Sequence, residues 1–204
     1  MIKKYISRDS ILYKPYLYYR MFWKEKFYIK RKTYSQCGED KFIYSYFKKK
    51  ITLGSYVDLG AFNPIKYSNT CLLFQNGWNG INIDLNQTSI DYFNIIRPND
   101  INICAAIGND KKKVKIYIES IFSPLNTISK NRSKNLTSKN IRKNFYYTKT
   151  KKFNDLIEAK FDFLNIDLEG VDFEVLKTIN LNFYKPKLIC IRCIGTLRIL
   201  LVVF

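Results

Sequence analysis

The chain contains no histidine, so any proton transfer falls to carboxylates, lysines, tyrosines or water. Four acidic positions follow apolar runs that read as strands. Asp58 stands in Val57-Asp58-Leu59-Gly60-Ala61, Asp84 closes Gly80–Ile83, and Asp167 and Glu169 follow Phe161–Ile166. Open parallel sheets bind ligands at the carboxyl ends of their strands. Gly60 can take a backbone shape closed to other residues and lets a ligand approach. A carboxylate at Asp84 can accept hydrogen bonds from two ribose hydroxyls. Ala105 and Ala106, after a third strand, are small enough for a flat ring to lie close. Asp167 and Glu169 are two apart, so strand alternation sends both to one side. There they could take a proton from a hydroxyl or orient it. They could also hold a divalent cation, but two carboxylates without a third ligand do not specify one, and no metal site is assigned. A dinucleotide fingerprint with three glycines is absent, as is a P-loop.

The elements that must position these residues follow a regular rhythm from Tyr34 onward. Asp40–Lys50 predicts a helix with Phe42, Ile43, Tyr46 and Phe47 on one face. Strands are expected at Ser55–Leu59, Gly80–Ile83, Ile101–Ile107, Val114–Ile118, Phe161–Ile166 and Leu188–Ile191. Helices are expected at Asn69–Gln75, Thr88–Ile96 (stopped before Arg97-Pro98) and from Asp172 to Thr178. Strand and helix in alternation imply an α/β, Rossmann-like, mostly parallel sheet with helices on both faces. The polar, basic stretch up to about Thr150 reads as a loop or lid. The last residues, 199–204, are apolar and match no expected element. The sheet is therefore expected to lack its last strands, as in a shortened chain, with an exposed apolar tail that favours aggregation.

The chain has 204 residues and a net charge of +18. That length suits one domain at residues 34–204 behind a basic aromatic extension at 1–33. The charge points to anionic partners or to biased composition. It is densest in residues 1–32, opposed only by Asp9 and Glu25, and from Ser120 to Phe153 no acidic residue occurs. The N-terminal stretch can lie on a membrane surface or pack as a helix on its own domain, and packing is the favoured expectation. No stretch is long and apolar enough for a transmembrane helix. The five cysteines are odd in number and irregular in spacing, which suits a reducing, cytoplasmic setting. Cys190 and Cys193 form a lone CxxC, and Cys190 in an apolar strand is read as core rather than zinc ligand.

Several segments resemble the FkbM family of methyltransferases in their order along the chain. Ser35-Gln36-Cys37-Gly38-Glu39-Asp40 resembles its SQxGED signature, and Tyr56–Ala61 its first cofactor motif. Ser68-Asn69-Thr70 and Gly77-Trp78-Asn79-Gly80 match its SNT and GWxG segments. Ile83-Asp84, Arg97-Pro98-Asn99-Asp100, Ala105–Gly108 and Phe163–Gly170 follow in turn. The resemblance implies S-adenosylmethionine as cofactor and methyl transfer to a hydroxyl oxygen, with a sugar, a glycan or a related metabolite as acceptor. It implies that Asp58, Gly60 and Ala61 line the methionine side, Asp84 holds the ribose, and Ala105 and Ala106 flank the adenine. Gln36 and Glu39 would close over the cofactor or brace the loop after the first strand. Ser68 and Asn69 would offer donors to its carboxylate. Asp167, with Glu169 second, would act on the acceptor hydroxyl. The positive loop suggests an acidic or phosphorylated acceptor. Arg192 departs from the pattern, since relatives commonly end that strand in an acid. An inactive relative and a basic nucleic-acid-binding protein or RNA methyltransferase remain as alternatives.

Overall fold

A computed structural model describes residues 6–24, 32–109, 113–118, 144–168, 170–192 and 198–202. The N-terminal segment forms helix α1 (Tyr13–Tyr19), which runs on into a π-helical turn at Arg20–Lys24. Then follow α2 (Glu39–Phe47), β1 (Ser55–Leu59), α3 (Cys71–Gln75), β2 (Asn79–Asp84), α4 (Gln87–Ile96) and β3 (Ile101–Cys104). A hairpin of β4 (Lys113–Ile118) and β5 (Asn144–Lys149) comes next. The chain ends with β6 (Phe163–Ile166), α5 (Asp172–Leu176), α6 (Leu181–Tyr184), β7 (Leu188–Arg192) and β8 (Arg198–Val202).

One sheet has the order β3-β2-β1-β6-β7-β8. Its first five strands are parallel, and β8 runs antiparallel to β7. The order reverses between β1 and β6: the chain moves outward from β1 through β2 to β3, then returns to the other side of β1. That is a topological switch point, and open α/β sheets bind their ligands outside the carboxyl ends of the strands at such a point.

The central strands β1, β6 and β7 are buried on both faces. Val57, Leu59, Ile83, Leu164, Ile166, Ile189 and Ile191 pack on one side against Phe153, Ile157, Phe161, Val175 and Tyr184. Tyr56, Phe163, Leu188 and Cys190 pack on the other against Ile43, Phe47, Leu73 and Trp78. Cys190 is thus a core residue, while Cys193 lies outside the described residues. Helix α4 is capped by Asn86, whose side chain accepts from Thr88 N at 3.0 Å, and it stops before Pro98.

Three elements differ from the sequence reading. Residues 198–202, expected to pair with nothing, form β8 in register with β7 from Leu188↔Val202 to Arg192↔Arg198. Apolar residues without a turn signal look like a tail until a partner strand offers hydrogen bonds. Asn144–Lys149, taken into the polar loop, is β5, paired with β4 from Lys113↔Lys149 to Ile118↔Asn144. Its lysine-rich surroundings mask a short alternation that only the partner strand reveals. Helix α6 has no counterpart in the reading, because four residues carry too little periodicity to register.

The N-terminal segment packs on its own domain. Ile6, Tyr13, Tyr16 and Leu17 bury against Tyr92 of α4. Asp91 holds it in place, accepting from Tyr13 Oη at 2.7 Å and Arg8 Nε at 2.9 Å. Among the described residues no helix is long and apolar enough to cross a membrane.

Candidate active site

The parallel strands share one register, and this lines up a polar row beneath the strand ends. Asn102, Asn82, Asp58, Asn165 and Cys190 are Cα partners across β3, β2, β1, β6 and β7. A polar row in a buried sheet is tolerable only if its members satisfy one another. Here Asn82 Nδ2 donates to Asn102 at 2.9 Å, and Asn165 Nδ2 donates to Asp58 Oδ1 at 2.7 Å. Asn69 Nδ2 donates to Asn165 Oδ1 at 2.8 Å, and Thr70 Oγ1 to Asp58 Oδ2 at 2.8 Å.

Arg97 closes this network. Its guanidinium has no solvent exposure. It donates to Tyr56 Oη at 3.1 Å, Thr70 Oγ1 at 2.9 Å, Ser68 Oγ at 3.0 Å and the Pro64 carbonyl. Asp100 lies 4.0 Å away and takes hydrogen bonds from Tyr56 Oη, Asn82 Nδ2 and Gly80 N. The Ser68-Asn69-Thr70 turn is therefore pinned to the sheet from inside.

Asp58, Ser68 and Asn69, expected beside the cofactor, are each at most 2% exposed and bonded inward. Burial pushes the Asp58 carboxyl above its usual range, opposed by the bonds from Asn165 and Thr70 and by the charge of Arg97. Gln36 is exposed and Glu39 half-buried, with Glu39 Oε2 accepting from Cys37 N at 2.8 Å. The signature itself is braced by Asp40, fully buried, which accepts from Thr33 Oγ1, Tyr34 N and Ser35 Oγ at 2.6–2.8 Å.

Other candidates sit at the strand ends. Gly60 has φ +76°, and a Cβ there would stand 2.0 Å from the Asp167 carbonyl oxygen. Only glycine lets the loops after β1 and β6 approach so closely at the switch point. Ala61 is buried and donates through N to Ile83 O at 3.2 Å. Asp84 Oδ2 accepts from Phe62 N at 2.9 Å, and Oδ1 from Asn86 N at 2.7 Å. A carboxylate offers about four lone-pair sites, so each Asp84 oxygen retains one for a further donor. Burial pushes the Asp84 carboxyl up to about 6, against those two backbone donors. Phe62, whose N–H reaches Asp84, is held at φ +51°, a conformation costly for a residue with a side chain. Ala105 N donates to Asp84 O at 3.0 Å, which keeps the partly buried Ala105 beside the β2 end. Ala106 is buried, and its carbonyl anchors Lys151 N at 2.9 Å below the hairpin.

Asp167 follows β6 and is not alone. Arg192 Nη1 lies 3.0 Å from Oδ1 and 3.3 Å from Oδ2, with both side chains about one-fifth exposed. The departure at Arg192 and the candidate carboxylate thus form one ion pair. Glu169 lies outside the described residues. The loop is closed by Asp172, which accepts from Leu168 N at 2.7 Å and Gly170 N at 2.9 Å. Arg97, Asp100, Asp40 and Asp172 were assigned no role from sequence, although all but Asp172 stand inside recognised segments.

A parallel sheet with this strand order, a glycine at its switch point and a carboxylate at the next strand end defines a Rossmann-like methyltransferase fold. The chain belongs to the FkbM methyltransferase family: the family model described as the methyltransferase FkbM domain matches residues 58–196. Its reaction is therefore the transfer of a methyl group from a methyl donor. No curated protein and no solved structure matches the chain.

Proposed function

We infer that the donor is S-adenosylmethionine and the acceptor a hydroxyl oxygen of a sugar, glycan or related metabolite. The observation that carries this reading is Asp84. Its two oxygens are aimed by the backbone of Phe62 and Asn86 and each keeps a lone pair, the number needed for a ribose diol. Gly60 and Ala61 lead into the same loop, and Ala105 stands at the adjoining strand end. S-adenosylmethionine, when bound, supplies an electrophilic methyl carbon. The chain's part is to align an acceptor with it.

Asp167 is the residue we assign to the acceptor. Its backbone lies against Gly60 at the switch point, and its carboxylate pairs with Arg192 at the neighbouring strand end. An arriving hydroxyl would bond Asp167 alongside Arg192, which orients the oxygen. Arg192 and the lysines of β4 and β5 would favour an acidic or phosphorylated acceptor. Asp58, Ser68 and Asn69 act from beneath the strand ends, which they hold in place.

Calorimetric titration with S-adenosylmethionine tests the donor. We expect binding that weakens about tenfold to a hundredfold in Asp84→Asn, the loss of hydrogen bonds to a charged group. No binding by the folded, unmutated chain would refute the donor assignment. Radiolabelled methyl transfer to a panel of neutral and phosphorylated sugars then tests the acceptor.

A further inference from the structure

The helix that covers α4 has two faces, and only one is used. Tyr13, Tyr16 and Leu17 face inward and are buried. The Arg8–Asp91 and Tyr13–Asp91 bonds fix the helix's rotation about its axis. Ile11, Leu12, Tyr18, Tyr19, Phe22 and Trp23 consequently face away from the domain, all exposed. Ile11 and Leu12 immediately precede the α-helix and Phe22 and Trp23 lie in the π-helical turn that continues it, so exposed apolar side chains run from one end of the segment to the other. Tyr19 and Trp23 stack with ring centroids 6.4 Å apart, which preorganises the outer surface.

An outward apolar face on an anchored helix is costly in water and calls for an occupant. Charge decides which. Lys14 and Lys24 are exposed on the same helix, and Lys24 Nζ lies 5.8 Å and 6.0 Å from the Tyr16 and Tyr19 ring centroids, its stem along the aromatic surface. In residues 1–32 only Asp9 and Glu25 oppose the lysines and arginines. A bilayer surface bearing anionic headgroups supplies both needs: an acyl boundary for Ile and Phe, and a headgroup layer for Trp, Tyr and Lys.

We propose that residues 11–24 seat this protein on an anionic membrane surface, with Phe22 and Trp23 inserted and Lys14 and Lys24 at headgroup level. The contact itself is independent of methyl transfer.

The chain has two tryptophans, and they report separately. Trp78 is 3% exposed and Trp23 is 65% exposed. The full chain is mixed with vesicles of phosphatidylcholine alone, or of phosphatidylcholine and phosphatidylglycerol in equal parts, and co-sedimentation and tryptophan emission are followed. We expect partitioning about tenfold or more stronger onto the anionic vesicles, with emission moving to shorter wavelength. Trp23→Phe should sediment but lose the shift. The double variant Ile11→Ser, Phe22→Ser, altered only at exposed positions, should lose about tenfold in partitioning with an unchanged thermal unfolding midpoint. Failure to sediment with anionic vesicles overturns the proposal. So does sedimentation that leaves Trp23 emission unmoved or that the double variant retains, since another surface would then make the contact. Displacement from vesicles by a single-stranded oligonucleotide that shifts Trp23 would assign the face to nucleic acid instead.

Discussion

Replacement of Arg97 is the most informative perturbation of this fold. The guanidinium is wholly enclosed and donates to Tyr56, Thr70, Ser68 and the Pro64 carbonyl, with Asp100 at 4.0 Å. Arg97→Ala removes the cation but leaves Asp58 and Asp100 buried beside it. Breaking a buried ion pair on one side costs about 3–5 kcal/mol. Orphaning the Pro64 carbonyl adds about 1–3 kcal/mol. Against a total stability of about 5–15 kcal/mol for a domain, the expected loss of roughly 4–8 kcal/mol leaves the protein marginal. Arg97→Lys keeps the charge, but its single ammonium cannot reach partners on both sides at once; about half the loss is expected. The assay is urea unfolding followed by circular dichroism, read from the midpoints at a common slope. Arg8→Ala is the internal contrast. Its pair with Asp91 is partly solvated, so it should cost under about 1 kcal/mol. A cost below about 1 kcal/mol for Arg97→Ala would refute the view that this residue organises the Ser68–Thr70 turn and the polar row.

Gly60→Ala must move the Asp167 carbonyl, 2.0 Å from the new Cβ, at a backbone φ of +76°; we expect roughly 2–4 kcal/mol of destabilisation and weakened donor binding, read by thermal unfolding and calorimetry. Asp84 titrates near 6, above its ordinary value of 3.8, so the folded state holds this proton more tightly than the unfolded state. Its contribution to stability in the absence of ligand should therefore fall as pH rises from about 4 to about 6 and then level off. Donor binding, which uses the carboxylate, should weaken about tenfold per pH unit below about 6, and a flat profile between pH 5 and 8 would exclude the assigned role. Asp167→Asn loosens a partly exposed pair with Arg192, so the unfolding midpoint should move little while methyl transfer falls about 100-fold or more; equal turnover in the variant would remove Asp167 from the reaction.

Period and punctuation made β1, β2, α4, β6 and β7 legible, because each pairs a short apolar run with a Gly, Pro or polar stop. They also marked the strand ends, and with them Gly60, Asp84 and Asp167. Residue types alone could not say which partners each carboxylate takes. Asp58 and Asp84 read alike, as acids in or after short apolar strands, yet Asp58 sits one position before its strand's end, on the face that Arg97, Thr70 and Asn165 close over. Asp84 sits at the strand end itself, where its two oxygens accept from the backbone N–H groups of Phe62 and Asn86. The same holds for Asp40 and Arg97, which lie within recognisable segments but take their roles from residues distant in sequence. β8 and β5 exist only through pairing with β7 and β4. What the chain's own residues determined is the order of elements and the positions of their ends, since those depend on local periodicity and turn chemistry. Which polar groups are spent inside the fold and which remain for chemistry was decided by tertiary structure, because hydrogen-bond satisfaction is settled between segments and not along them.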